Sequence, residues 1–207
     1  MDSRNAHTEA EARALTYTFL SHAFLEEVTV EFLGQLAAQP PSLEGELSKF
    51  AAELSPDGLV AARRDVVADF SALFLGMSAN PVSPYESVYT SSKRIMMQES
   101  RDQVVALYQA EGFRRSAQIN LPEDHIGFEL EFMACLCRKE AAALQAVDAA
   151  AAGSAVGAQK AFLSEHLLVW APQFCDDVER QARTGFFRGL AQTRREFLAL
   201  EKDSLSL

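Results

Sequence analysis

The sequence predicts an all-α protein, a single helical bundle, on three observations. Apolar residues recur at spacings of three and four along most of the 207-residue chain, as they do on the buried face of a helix. No segment keeps the strict alternation of a β-strand. Pro40-Pro41 and the stretch from Ser55 to Gly58 end such periodic segments, as helix-breaking residues should. A hydrophobic content of 48% is ample for a core.

Five helices are predicted before residue 112. The apolar stripes of the first four contain, in chain order, Ala12, Leu15, Phe19 and Ala23 (a helix from about Thr8 to Phe24); Phe32, Leu33 and Leu36; Leu43, Leu47, Phe50 and Leu54; and Leu59, Val66, Phe70 and Leu73. An irregular loop from Gly76 to Pro84 follows, and Ser87–Thr90 is compatible with a short extended stretch. The fifth helix covers about 98–110 and ends at Gly112, because glycine readily takes the left-handed conformation after a helix.

The helix predicted from about Asp124 to Asp148 is the expected centre of the fold. Ile126, Leu130, Met133 and Cys137 share one side, and three further apolar residues widen that arc: Phe128, Phe132 and Leu136. Glu129 falls inside the arc, so it should be buried and either paired with an Arg or Tyr or neutralised. If the bundle divides, the connection at 113–122 is the hinge between lobes of about 1–112 and 123–207.

The C-terminal part adds two helical segments. Residues 149–157 are low in complexity, hold two glycines and are predicted to form a mobile connector. Leu163, Leu167, Trp170, Phe174 and Val178 then mark an amphipathic helix, which Pro172 should kink or divide. Phe186, Leu190 and Phe197 face inward on the last helix.

Charge and composition exclude several classes of protein. The net charge of −10 argues against binding to nucleic acid, whose phosphates would be repelled. No apolar run approaches the roughly 20 residues that span a bilayer, and the polar N-terminus is not a signal peptide. We therefore expect a cytoplasmic protein without stable membrane association. Three cysteines in a chain of this length do not form a disulfide framework.

The sequence shows no catalytic or metal-binding constellation. Its four histidines lack the spacing of metal ligands, and neither a nucleophile elbow nor a phosphate-binding loop is present. We expect no enzyme activity, no bound metal and no cofactor of its own.

The run from Leu121 to Met133 (LPEDHIGFELEFM) contains the most informative polar residues. Pro122 makes the backbone before it non-helical, and Asp124 can cap the first turn of the helix that follows. His125 is not explained by capping alone, because it stands beside an apolar helix.

This run resembles the TorD/DmsD/NarJ family of cytoplasmic chaperones, whose signature is Glu-Pro-any-Asp-His followed by Leu-Glu-Phe-Met; Leu121 replaces the first acid. Two further blocks resemble the family in the same order. One is Phe70–Gly76 with Asn80–Tyr89, and the other runs from Phe162 through Trp170 and Phe174 to Phe186–Leu190. The resemblance therefore covers about residues 70–198.

The resemblance implies a system-specific chaperone for a molybdopterin oxidoreductase. Such a chaperone binds the precursor and its twin-arginine leader, assists insertion of the molybdenum cofactor into the client and delays export. The alternative is a NarJ-like assembly factor for a cytoplasmic redox subunit that has no exported leader. A third possibility is a small regulatory protein that binds a nucleotide, but no feature of the sequence indicates a nucleotide pocket. Family members are monomers or dimers that exchange helices, and both states stay open.

An apolar groove rimmed by Glu86, Glu123 and Asp124 would suit a ligand with arginines beside a short apolar stretch, because guanidinium groups favour carboxylate partners. The core is the favoured location of Phe70, Leu73 and Trp170. The residues predicted to bind the leader peptide are Asp124, His125, Glu123, Tyr85, Ser87, Tyr89, Phe74, Leu73 and Phe70.

Overall fold

A computed structural model describes residues 3–41, 45–115 and 118–207. The helices are α1 (Ser3–Leu25), α2 (Val30–Ala38), α3 (Glu46–Glu53), α4 (Leu59–Phe74), α5 (Glu86–Thr90), α6 (Glu99–Ala110), α7 (Ile126–Gln145), α8 (Ala149–Phe162), α9 (Leu168–Gln181) and α10 (Gly185–Ser204). A π-helical turn, Leu163–Leu167, joins α8 to α9. No described residue belongs to a β-strand, so the predicted all-α class is confirmed.

The chain contains two compact units that are discontinuous in sequence. Unit 1 comprises Met1–Leu25, Tyr85–Trp170 and Lys202–Leu207, and unit 2 comprises Glu26–Pro84 and Ala171–Glu201. The predicted lobes with a hinge at 113–122 stay a prediction, and residues 116 and 117 of that hinge lie outside the described residues. The predicted stripe residue Leu43 also lies outside them.

Unit 1 is built around α7, whose side chains are buried along most of its length. The helix packs against α1 and α8. Gly127 allows the first of these approaches, because a Cβ at that position would collide with the side chain of Leu25. The fully buried Phe132 contacts the rings of Tyr108 and Phe162, with centroids 4.8 Å away in both cases. The wide apolar arc of the sequence therefore forms the centre of this unit.

Unit 2 packs α10 closely against α3. A Cβ on Gly189 would overlap the backbone of Leu47, so only glycine fits there. Asp69 of α4 is buried and accepts hydrogen bonds from the backbone of Arg183 and Thr184, just before α10 begins. These bonds satisfy backbone N–H groups of the turn that leads into α10.

Two local predictions were wrong, and a third was wrong in one of its two alternatives. Residues 149–157 are not a mobile connector: they belong to α8, where alanine's high helix propensity outweighs the two glycines and Asp148 caps the first turn. Ser87–Thr90 is helical in α5 and not extended. Pro172 was expected to kink or divide its helix: α9 continues through Pro172, so it is not divided, and the kink stays a prediction. The predicted end at Gly112 is confirmed, since α6 stops at Ala110 and Gly112 has a φ of 66°. None of the helices within the described residues is long and apolar enough to span a membrane.

Candidate functional site

Six of the predicted site residues lie in unit 1, where the chain between Tyr85 and Tyr89 meets the start of α7. Tyr85 and His125 form an isolated antiparallel bridge, and Glu86 N donates to Asp124 O over 3.0 Å. Ser87 adds two bonds to the Asp124 carboxylate, from its backbone N over 2.9 Å and from its hydroxyl group. Segments 37 residues apart in sequence are therefore joined at one buried junction.

Asp124 is the centre of this junction and has no exposed surface. Burial raises its pKa, the bonds from Ser87 lower it, and the charge of Glu86 raises it again, so that the pKa lies above its ordinary value. Its second oxygen, Oδ1, has no hydrogen-bond partner among the described residues. The prediction that Asp124 caps α7 was wrong. The cap of α7 is His125, because the Asp124 side chain is directed to Ser87 instead.

The position of His125 beside an apolar helix is explained by its role as the N-cap of α7. Its Nδ1 accepts a hydrogen bond of 3.1 Å from Gly127 N, which satisfies one of the free donors of the first turn. Burial lowers the pKa of His125 to about 3, so the ring is neutral at physiological pH and its proton is on Nε2. Tyr85 packs edge-on against this ring, with centroids 5.2 Å apart.

The Ser87 hydroxyl group extends the junction to the start of α6. Its oxygen accepts from Gln98 N over 3.1 Å and from the hydroxyl group of Ser100 over 3.2 Å. Thr90 donates in turn to Ser100. Asp124 thus fixes the relative position of α5, α6 and α7 through Ser87.

Glu123 is held by arginines of its own unit. Arg101 donates to Glu123 Oε2 with Nε at 2.7 Å, and Arg115 contacts Oε1 at 3.4 Å. Burial alone would raise the pKa of Glu123, but the bond from Arg101 outweighs it and the pKa is lowered. An incoming guanidinium group would have to compete with these partners.

Two further acids are buried beside the junction. Glu86 keeps 2% of its surface exposed, and both of its carboxylate oxygens lie near His166 Nδ1, at 2.9 and 3.1 Å. Glu129 accepts a 3.0 Å bond from Trp170 Nε1. Burial raises the pKa of Glu129 well above its ordinary value, and the charge of Glu86 raises it further. Glu129 was thus predicted correctly as buried, but its partner is a tryptophan and not an Arg or Tyr.

Unit 1 contains a cleft of about 490 Å³ that Glu86 helps to line, here called the acidic cleft. Glu99 and Glu165 are exposed at its walls, and Lys93 is its single cation among the described lining residues. Glu165 makes no ion pair within the described part of the chain. Hydroxyl and amide side chains supply most of the remaining lining: Thr90, Ser91, Ser92, Gln98, Ser100 and Gln103. The cleft therefore has three carboxylates against one ammonium group and is suited to a cation.

The other three predicted residues lie in unit 2 and belong to its core. Phe70 and Leu73 are buried, and Phe74 is partly exposed. Phe74 packs on Phe70, Phe174 and Phe187 with centroids 5.4, 6.1 and 5.6 Å away. A smaller cleft of about 210 Å³ touches Leu73 beside Asn80 and Arg183.

Tyr89 completes the group in unit 1. It is partly exposed, and its ring lies 5.3 Å from that of Trp170 at a tilt of 34°. Sequence reasoning did not single out His166 or Ser100 as site residues. His166 stands in the third resembling block, which was its available signal, whereas nothing in the sequence marks Ser100. No group of three or more potential metal ligands occurs in residues 3–41, 45–115 and 118–207.

Comparison with known proteins now adds to this geometry. The model of the nitrate reductase delta subunit family matches residues 36–176, which is more than half of the chain. The chain belongs to this family. Its matched region includes the Asp124 junction, the acidic cleft and the pair formed by Glu129 and Trp170.

Several relatives named Chaperone protein TorD match this chain over almost its whole length. The protein from Vibrio cholerae serotype O1 is 30% identical over 208 residues, which cover 94% of this chain and 92% of the relative. The protein from Aliivibrio salmonicida is 28% identical and is covered to 97%, as is this chain. A shorter match, 29% identical over 126 residues, comes from Photobacterium profundum.

Proposed function

We propose that this protein is a chaperone that assists maturation of a molybdopterin oxidoreductase by binding the leader peptide of its precursor. Family membership and the chaperone names of relatives along nearly the full chain support the general role. Binding would keep the precursor from export until the molybdenum cofactor has been inserted into the client. The protein itself needs no cofactor or catalytic residue for this role.

The acidic cleft is the observation that carries leader binding. A twin-arginine leader presents two guanidinium groups, which pair with carboxylates in bidentate geometry. Glu99 and Glu165 supply exposed carboxylates of this kind, while Glu86 also lines the cleft but is buried and held by His166. Because Glu99 and Glu165 are exposed, their carboxylates are accessible to a cation that enters the cleft, and their attraction for it is screened by salt.

Asp124, His125 and Ser87 would then act as positioning residues. They hold α5 and the start of α6, which form walls of the cleft, while their own side chains are buried. Direct contact of Asp124, His125 or Glu123 with the leader stays a prediction. Tyr85 and Tyr89 are partly exposed and therefore accessible to the leader. Binding of the leader by Phe70, Leu73 and Phe74 of unit 2 also stays a prediction, which substitution of these residues would test.

Calorimetric titration with a synthetic paired-arginine leader tests the proposal. Replacing Glu99 and Glu165 together by Gln should weaken binding by about 1–3 kcal/mol, the range for hydrogen bonds to charged groups. Glu11→Gln is the matched control, because Glu11 is an exposed acid on α1 outside the cleft. A leader with lysines in place of the arginines should bind less tightly.

The salt dependence is a second readout. Affinity of the wild type should fall with added salt, and the Glu99/Glu165 variant should show a weaker fall. If the variant and the control bind the leader equally, the acidic cleft is not the leader site.

The second candidate is an assembly factor for a cytoplasmic redox subunit without an exported leader. The description of the matched family, a nitrate reductase subunit, favours it. Copurification separates the two functions: a client that is retained after removal of its leader supports the assembly factor, and a client lost with the leader supports leader binding. Monomer and helix-exchanged dimer are both compatible with either function.

A further inference from the structure

Three consecutive large apolar side chains are exposed in the loop between α5 and α6. Ile95, Met96 and Met97 expose 51%, 48% and 60% of their surface. We call these three residues the apolar lip. Single exposed apolar residues are ordinary on protein surfaces, but a contiguous group marks an interaction site.

The loop that carries the lip is held in an unfavourable conformation. Arg94 and Met97 have φ angles of 52° and 59°, in the left-handed region that side chains other than glycine rarely occupy. Gln98 stabilises the loop, because its Nε2 donates to Met96 O at 3.0 Å and to Met97 O at 3.1 Å. Backbone strain of this kind persists where the surrounding structure enforces it and is concentrated at functional sites.

The lip lies directly beside the acidic cleft. Lys93 and Gln98, which lie in the same loop on either side of residues 94–97, both line the cleft. Val169, also part of the lining, is 57% exposed and adds apolar surface to it. One continuous region of unit 1 therefore offers carboxylates for a cation and, next to them, apolar surface.

We propose that the apolar lip binds the apolar residues that follow the arginines of a client leader, so that one peptide segment occupies cleft and lip together. This proposal rests on the proposed function and assigns to the lip the choice of apolar sequence. Methionine suits such a role, because its flexible thioether side chain adapts to ligands of different shape. Charge complementarity favours a cationic peptide over the alternatives: a second copy of this chain carries the same net charge of −10, and an anionic membrane surface would be repelled as well.

The experiment uses two peptides and two variants of the 207-residue chain. One peptide carries paired arginines followed by leucines, and the other carries serines in place of the leucines. The lip variant combines Ile95→Ser, Met96→Ser and Met97→Ser. The control is Val147→Ser, because Val147 is exposed, lies in unit 1 and has a φ of 58°, almost that of Met97. Circular dichroism and thermal unfolding check that both variants fold.

The lip variant should bind the leucine peptide on the order of tenfold or more weakly than the wild type, since apolar surface no longer leaves water on binding. That loss should be the same at low and high salt. Both proteins should bind the serine peptide equally, and Val147→Ser should behave as the wild type with both peptides.

Equal affinity of wild type and lip variant for the leucine peptide overturns the lip proposal, and a loss in the Glu99/Glu165 variant alone would leave the cleft as the leader site. A loss in the lip variant alone would support the lip and reject the acidic cleft. If the wild type binds neither peptide, both proposals are rejected. A lip variant that changes only the oligomeric state, measured by light scattering, would assign the lip to contacts between copies of this chain.

Discussion

The fully buried carboxyl group of Glu129 offers a sharp test of the electrostatics around the cleft. Its pKa is raised well above the ordinary value of 4.5 by burial and by Glu86, which favours the neutral acid as the form that accepts the hydrogen bond from Trp170. Glutamine has the same shape and is neutral at every pH. Glu129→Gln should therefore keep the acceptor for Trp170 Nε1 and change stability by less than about 1 kcal/mol at pH 5.

The two proteins should diverge as the pH rises. A carboxyl group whose pKa is raised by folding binds more protons in the folded than in the unfolded state above pH 4.5. The stability of the wild type therefore falls as the pH rises towards the pKa of the folded state, by up to about 1.4 kcal/mol per pH unit from this group. The Gln variant lacks this loss, so its stability relative to the wild type should increase from pH 5 upwards.

Urea unfolding at pH 5, 6, 7 and 8 measures this difference. The single tryptophan of the chain, Trp170, is the donor to Glu129, so intrinsic fluorescence reports on this site. Glu129→Ala is the comparison: it removes the acceptor and leaves a cavity, and it should lower stability by about 3–5 kcal/mol. A difference between Gln variant and wild type that does not change with pH, or a loss as large as that of Glu129→Ala, would refute a neutral Glu129.

The remaining predictions concern packing and the junction. Phe132→Ala should lower the free energy of unfolding by about 3–5 kcal/mol, because Phe132 is buried among Tyr108 and Phe162; a loss below about 1 kcal/mol in urea unfolding would contradict this. Gly189→Ala should destabilise unit 2 by about 1–3 kcal/mol, because the new Cβ meets the backbone of Leu47. Gly153→Ala, in open space on α8, is its control and should raise the thermal midpoint instead.

Most of the fold could be predicted because it depends on patterns local in sequence. The apolar arc of α7 and the glycine after α6 are examples, since periodicity and a left-handed residue act within one helix. The prediction of a connector at residues 149–157 was wrong because the helix propensity of the alanines outweighs the cost of the two glycines. Their helix also gains from Ala152 and Ala155, which are buried in unit 1, and sequence alone does not show that burial.

Only part of the candidate site could be predicted from the sequence: Glu99 and Glu165 of the cleft were not among the predicted residues, and Phe70, Leu73 and Phe74 lie in the other unit. Resemblance marked Asp124, His125 and the segment from Tyr85 to Tyr89, and the structure brings these together in unit 1. Their contacts join residues far apart in the chain, which no local pattern encodes. The partner of Glu129 is of this kind, because Trp170 lies 41 residues away. The apolar lip was not predicted for a different reason, because exposed apolar residues in a loop follow no periodic pattern.

The junction also determines how a loss of binding in an Asp124 variant should be interpreted. Asp124→Asn removes the charge but keeps one oxygen that can accept from Ser87. If Asp124 contacts the leader directly, this substitution should weaken binding by about 1–3 kcal/mol while Ser87→Ala leaves it unchanged. If Asp124 instead acts through Ser87, then Ser87→Ala should weaken binding as well, because Gln98 and Ser100 lose the same oxygen. A combined variant separates these cases: losses that add indicate two independent contacts, and losses that do not add indicate a single network that supports the cleft.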